Sequence, residues 1–362
     1  MIKSFILLLA CICIINSGHT QEQENYTDEI FQDYLFQEGP GISIIIIKDD
    51  DIVLQENKGF AEIESTRPIE DDTKFNLGTL TSQFTAMSIM ILKDAGELSY
   101  KDKVSSYIKE MPDYAKELTI EDLLEESSGL PYFSLQKDGE QYNTPEKTLE
   151  FLNKKEELIF EPGKKDAINP VNPALLTLVI EKVTGSDYRK FVSENIFKPL
   201  DMEDSEVFKG GWFYNIKNKT TGYMNSGNNE EESFESVQDI DSKEYMRGVT
   251  GIYSTPADMK KWVKAWNEDI LIEKGTLSKA LRIGFIRGAK EFYGFGWRKG
   301  FNNGKKYLYQ GGTGYGHTHI LLKMPPENID IIILSNQQSV FGMRKKAFEL
   351  LNHFSEEEYE VK

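Results

Sequence analysis

The chain has 362 residues, 39% of them hydrophobic and 28% charged, and its 42 basic against 59 acidic side chains leave a formal charge of −17. That apolar content is the composition of a chain with a packed core, not of a disordered one. The acidic balance repels phosphate backbones and anionic lipid, which makes nucleic acid a poor partner.

The first twenty residues differ from all that follow. Lys3 precedes an apolar run from Phe5 to Ile15, and Ser17, Gly18 and Thr20 close the segment. This is the layout of a secretory signal over residues 1–20, shorter than the roughly 20 apolar residues a membrane span needs. Leu8-Leu9-Ala10-Cys11 loosely resembles a bacterial lipoprotein box, so an anchor at Cys11 is the alternative to plain secretion or a periplasmic location. Both cysteines, Cys11 and Cys13, lie in this segment. A mature chain cut beyond it has no thiol for disulfides, catalysis or zinc.

Beyond the signal, Phe31, Tyr34, Leu35 and Phe36 are spaced for a short amphipathic helix. Gly41 to Ile47 is β-branched and reads as a strand buried on both faces, followed by a hairpin through Asp49-Asp50-Asp51 into Ile52-Val53-Leu54. Leu80, Phe84, Met87 and Ile91 repeat at helical spacing, and Gly96 supplies the stop. Leu123 and Leu124 lie in a short helix, and the next is expected to be capped by Asn172, to start at Pro173 and to end at Gly185. Residues 225–241 read as a solvated loop. Ser254-Thr255-Pro256-Ala257-Asp258 opens a helix whose Trp262 and Trp266 belong to the core. Strand-like runs follow at 293–297, 307–309, 318–322 and 329–334, then a closing helix through Met343, Ala347, Leu351 and Phe354.

Strands at both ends with helices between predict an α+β fold: one antiparallel sheet built from both chain ends, with an inserted helical region. A single domain over 21–356 follows, with a sheet lobe near 38–74 and 290–356 and a helical lobe near 75–289. The acidic tail at 357–362 reads as solvated. A ligand would sit in the cleft between the lobes.

Phe75-Asn76-Leu77-Gly78-Thr79-Leu80-Thr81-Ser82-Gln83-Phe84-Thr85-Ala86 resembles the active-site helix start of the serine beta-lactamase-like hydrolases, which include penicillin-binding proteins, class C beta-lactamases, D-Ala-D-Ala carboxypeptidases and esterases. Leu118-Thr119-Ile120, Leu123-Leu124 and Ser127-Ser128-Gly129-Leu130-Pro131 resemble that family's next stretch. Phe160-Glu161-Pro162-Gly163, Leu175-Leu176 and Ile180 to Gly185 follow in family order, as do Gly251 to Asp258, Tyr293-Gly294-Phe295-Gly296-Trp297 and Gly311-Gly312. Such a run of ordered matches, from about Pro40 to Asn336, implies the beta-lactamase/transpeptidase-like fold.

The resemblance also implies a catalytic set: Ser and Lys in S-x-x-K, Tyr and Asn in Y-x-N, and His or Lys two residues before an edge-strand glycine. All five are replaced here. Thr79 stands at the nucleophile position, Ser82 at the lysine, Ile168 at the tyrosine, Pro170 at the asparagine and Gln310 at the edge strand, with Gly312 retained. A shift of one residue would put Asn169 at the asparagine position, but no tyrosine lies between Tyr142 and Tyr188. Losing nucleophile and base together costs on the order of a millionfold in hydrolases.

These replacements point to a pseudoenzyme that keeps the cleft for binding a small peptide, an ester or amide, or a protein. The alternative is a hydrolase with remodelled chemistry at Thr79 or through a His317-assisted water. Tyr132, as a cleft-lining residue, and His317 and His319, alternating on one strand, are secondary candidates. Glu125 and Glu126 read as a solvated face. The pattern calls for no cofactor and no metal.

Overall fold

The computed structural model describes residues 26–32, 38–133, 144–210, 215–227, 233–239, 245–284, 291–338 and 342–360. Residues 1–20, with Cys11 and Cys13, and the expected helix positions Tyr34, Leu35 and Phe36, lie outside the described residues.

Strand β1 (Ile42–Lys48) hydrogen-bonds on one side to β2 (Asp51–Lys58), the partner the aspartate turn sets up. Its other neighbour comes from the far end of the chain. Strands β3 (Glu291–Gly294), β4 (Trp297–Asn302), β5 (Lys305–Gly314), β6 (His317–Met324) and β7 (Ile329–Ser335) complete a seven-stranded sheet in the order β3-β4-β5-β6-β7-β1-β2. Every neighbouring pair is antiparallel. Ile45 lies opposite Ile332 and Ile44 opposite Ile333, so the two-residue period of each strand splits its apolar side chains between the faces.

Ile45, Leu308, Leu321, Ile332 and Leu334 face the helical region, and Ile42, Ile44, Ile46, Ile320 and Ile333 face a second core. That is why β1 carries no polar face. The helical region contains α1 (Ser82–Asp94), α2 (Ile120–Leu124), α3 (Val171–Thr184), α4 (Pro256–Ala265) and α5 (Lys274–Leu281). Helix α6 (Met343–Phe354) covers the opposite face of the sheet through Met343, Ala347, Phe348 and Leu351.

Local chemistry starts these helices where the sequence places them. Thr119 and Asp122 form a reciprocal capping box on α2. The Thr255 hydroxyl accepts from the Asp258 amide at 3.1 Å, with Pro256 in the first turn of α4. Trp262 and Trp266 are fully buried, as expected, and Trp262 stacks on Phe84 at 3.8 Å.

Three expectations are corrected. Helix α3 begins at Val171 with Pro170 as its cap, not at Pro173 after Asn172. The Asn169 side-chain oxygen accepts from the Val171 amide at 3.0 Å, which closes the first turn two residues early. The 225–241 stretch is not all loop, since Phe234–Val237 pairs antiparallel with Gly222–Asn225. The tail's acidic side chains Glu357, Glu358 and Glu360 are exposed, but the segment is anchored between them: Tyr359 is buried, its amide donates to Asn352 and the Glu360 amide donates to Asn302.

Candidate active site

The site forms where the 3-10 turn Gly78–Thr81, which leads into α1, presses on strand β5. Two glycines permit the approach. A Cβ on Gly312 would sit 2.7 Å from the Leu77 carbonyl oxygen and from Leu80 Cβ, and one on Gly78 would sit 2.3 Å from the Thr313 carbonyl oxygen. Gly78 also has a φ of +51°, in the left-handed region that a side chain disfavours. The Asn76 side chain accepts from the Gly78 amide at 3.0 Å and fixes the entry to the turn. With the two backbones this close, the Thr313 amide donates to Thr79 Oγ1 at 3.2 Å.

Ser82 Oγ turns back on its own helix start and donates to the Thr79 carbonyl at 2.9 Å. On its other side the Tyr293 phenol lies near Ser82 and the buried Gln310, both of which act on it electrostatically. Burial, and after it the neighbouring Glu126, holds the Tyr293 phenol above its ordinary range, so it remains protonated. Tyr293 is placed by contacts at both edges of its strand. Its amide donates to Asp166 at 3.1 Å, the Phe295 amide donates to the Leu124 carbonyl, and Gln83 donates to the Gly296 carbonyl at 3.0 Å.

Glu126 is buried, which corrects its reading as part of a solvated face; Glu125 is half-buried. Glu126 Oε2 accepts from the Asn169 amide at 2.8 Å and from Asn172 Nδ2 at 2.6 Å. Burial outweighs these two donors and pushes its carboxyl up to about 8. Glu126 thereby holds the start of α3 against the loop after α2. Ser128 Oγ adds a 2.7 Å hydrogen bond to Asn172 Oδ1.

Ile168 is 52% exposed, on a wall pinned by the Ala167 and Asn169 amides, which donate to the Glu126 carbonyl and carboxyl respectively. Pro170 offers no side-chain donor. Asn169 Nδ2 donates to the Leu130 carbonyl at 2.8 Å, so its amide is engaged with the loop. Tyr132 is 65% exposed and lines a cavity with Ile168, Ile159 and Phe160.

The two histidines are structural. His317 Nδ1 donates to the Tyr315 carbonyl at 2.7 Å, which leaves Nε2 to accept from Thr220 at 2.7 Å. His319 Nε2 donates to the Asn76 carbonyl at 2.8 Å, and its Nδ1 accepts from the Ser335 amide at 3.2 Å. Burial lowers both, His319 to about 3, so both are neutral. Both nitrogens of each ring are therefore engaged, which leaves neither free for a water or a metal. Among the described residues no group of three or more His, Cys, Asp or Glu could hold a metal ion. Buried Lys299 is lowered to about 7 by desolvation, but its amine donates to the Ala280 and Arg282 carbonyls at the end of α5, where a cation is expected.

Thr79, Ser82 and Gly312 thus meet around one turn, Gln310 approaches it through Tyr293, and Ile168 and Pro170 lie on the segment whose Asp166 accepts from the Tyr293 amide. The sequence reading missed Tyr293 and Glu126. Tyr293 belongs to a recognised motif, but only the tertiary structure turns its hydroxyl toward Ser82. Glu126 gave one signal, a carboxylate directly before the buried Ser127-Ser128-Gly129 turn.

A family model described as Beta-lactamase matches residues 27–353. Penicillin-binding protein 4* of Bacillus subtilis is 25% identical over 309 residues, covering 82% of this chain and 68% of the relative. The chain spans about two thirds of the length of the curated relatives it matches. Among solved structures it is similar to an octameric penicillin-binding protein homologue from Pyrococcus abyssi, with a TM-score of 0.78 and 24% identity over 92% of this chain and 77% of that one. It is also similar to a D-amino acid amidase from Ochrobactrum anthropi, with a TM-score of 0.75 and 19% identity over 91% of this chain and 98% of that one. By the extent of the family match and the fold around the turn at Thr79, this chain belongs to the beta-lactamase family.

Proposed function

We propose that this chain is a non-catalytic member of the family whose cleft binds an uncharged ester, amide or peptide carbonyl without cleaving it. One observation carries the reading. The Thr79 hydroxyl meets a backbone donor, Thr313 N–H, and the groups around its turn are the neutral side chains of Ser82, Tyr293 and Gln310. An alcohol needs a base to become a nucleophile at neutral pH. A phenol raised by burial and two neutral polar groups do not supply one. What the cleft does offer is hydrogen bonds, suited to a carbonyl and its flanking amide.

A fluorescent penicillin and a fluorophosphonate, each with Thr79→Ala as control, test this. No Thr79-dependent labelling is expected, while N-acyl dipeptide amides should raise the melting temperature. Labelling that disappears in Thr79→Ala would overturn the non-catalytic reading. It would favour a second one, a hydrolase using Thr79, for which the retained Thr313 amide is the supporting feature.

The N-terminal segment supports export of the mature chain. Mass spectrometry of the mature terminus should find a start at or beyond the Ser17–Thr20 region; a lipid on Cys11 would show an anchored form instead.

A further inference from the structure

Beside the cleft lies a cavity of about 270 Å³ whose lining includes Ser128, Leu130, Tyr132, Ile159, Phe160 and Ile168. Neither Thr79, Ser82, Tyr293 nor Gln310 lines it, so it is a separate space, joined to the site through the 166–169 segment, whose Asp166 accepts from the Tyr293 amide. Its mouth is unusual for a solvated surface. Tyr132 is 65%, Ile159 54% and Ile168 52% exposed, three large apolar side chains around one opening.

Apart from the exposed Tyr132 hydroxyl at the mouth, the side-chain polar groups of the lining are already used. Ser128 Oγ donates to Asn172 and accepts from the Leu130 amide, and Asn169 Nδ2 donates to the Leu130 carbonyl. The Gly129 carbonyl accepts from the Ile159 amide at 2.8 Å. A polar ligand would find few partners here and would lose its water, whereas an apolar one loses nothing. An apolar cavity of about 150 Å³ holds benzene, so this one has room for a chain of roughly eight carbons.

We propose that this cavity is an accessory subsite for an uncharged alkyl chain of about eight carbons, carried by the ester or amide whose carbonyl occupies the cleft. It rests on the reading of the cleft as a binding site. The chain-specific feature behind it is Ile168: an isoleucine at the tyrosine position turns a polar wall apolar and leaves its side chain at the cavity mouth.

Calorimetry on the full chain tests it with three probes: N-octanoylglycinamide, N-acetylglycinamide and 1-octanol, the last needing the cavity alone. The octanoyl compound should bind at least about tenfold more tightly than the acetyl one, part of the gain that six buried methylenes make available. Ile168→Asp and Tyr132→Ser, both at exposed positions, should keep the wild-type melting temperature and lose that preference. Octanol should compete with the octanoyl compound. Absence of octanol binding, equal affinity for the two amides, or a preference that survives both substitutions overturns the proposal. Turnover of 4-nitrophenyl octanoate that requires Thr79 would instead overturn the non-catalytic reading, and a chain-length preference lost in Ile168→Asp would still support the cavity.

Discussion

The Thr313 amide nitrogen lies 3.2 Å from the Thr79 hydroxyl oxygen, 234 residues away along the chain, and donates to it. In this arrangement the donor that could stabilise a developing oxyanion faces the alcohol itself, and on the non-catalytic reading proposed above no base accompanies it. Restoring the chemistry therefore requires more than the alcohol. Thr79→Ser with Ser82→Lys should leave ester hydrolysis within about tenfold of the unmodified protein, because Ile168 still offers no second base. Adding Ile168→Tyr should raise it measurably, as read by release of 4-nitrophenol and by acylation with penicillin.

The same contact depends on the absence of a side chain at Gly312. Gly312→Ala would drive a methyl group to 2.7 Å from the Leu77 carbonyl oxygen and force the turn away from β5. The expected cost is about 1–3 kcal/mol of stability, measured by urea unfolding. The amide exchange of Thr313 should speed up with it.

Glu126 makes stability fall as pH rises. Its carboxyl titrates at about 8 in the native protein and near 4.3 when unfolded, so between these values the native state holds a proton that the unfolded state has lost. The penalty grows from about pH 4.5 and levels off above about 8, reaching up to about 5 kcal/mol. Glu126→Gln keeps an oxygen for Asn169 and Asn172 without the charge. It should flatten the alkaline limb of a pH–melting-temperature profile and raise the melting temperature at pH 8.

His319 works in the opposite direction, at acid pH. It is neutral in the fold, with a pKa lowered to about 3 by burial and then by His317, against about 6.5 unfolded. Its contribution is therefore complete above pH 6.5 and is lost progressively as pH falls toward 3, by up to about 5 kcal/mol. His319→Gln should cost stability at pH 7, through the hydrogen bonds to Asn76 and Ser335, yet lose less than the wild type between pH 6 and 4. Chemical denaturation at each pH gives both numbers.

The sequence by itself determined what local chemistry and periodicity control. The β-branched run of β1, the capping sites at Thr119 and Thr255, the buried tryptophans of α4 and the ordered motifs that identify the family are all properties of neighbouring residues. So are the residues at the expected motif positions, with Thr79, Ser82 and Gln310 firmly anchored by the motifs around them and Ile168 and Pro170 anchored only from downstream. Tertiary structure alone decided which groups meet. Tyr293 comes near Ser82 because the turn after β3 lies against the start of α1, where Gln83 donates to the Gly296 carbonyl. Glu126 is buried only because the 166–169 segment folds over it, and His317 and His319 are occupied by carbonyl, hydroxyl and amide partners that lie mostly on other strands and loops. Burial, and with it the protonation state of Glu126, Tyr293 and His319, depends on segments more than forty residues apart in the chain, and no local pattern encodes that desolvation.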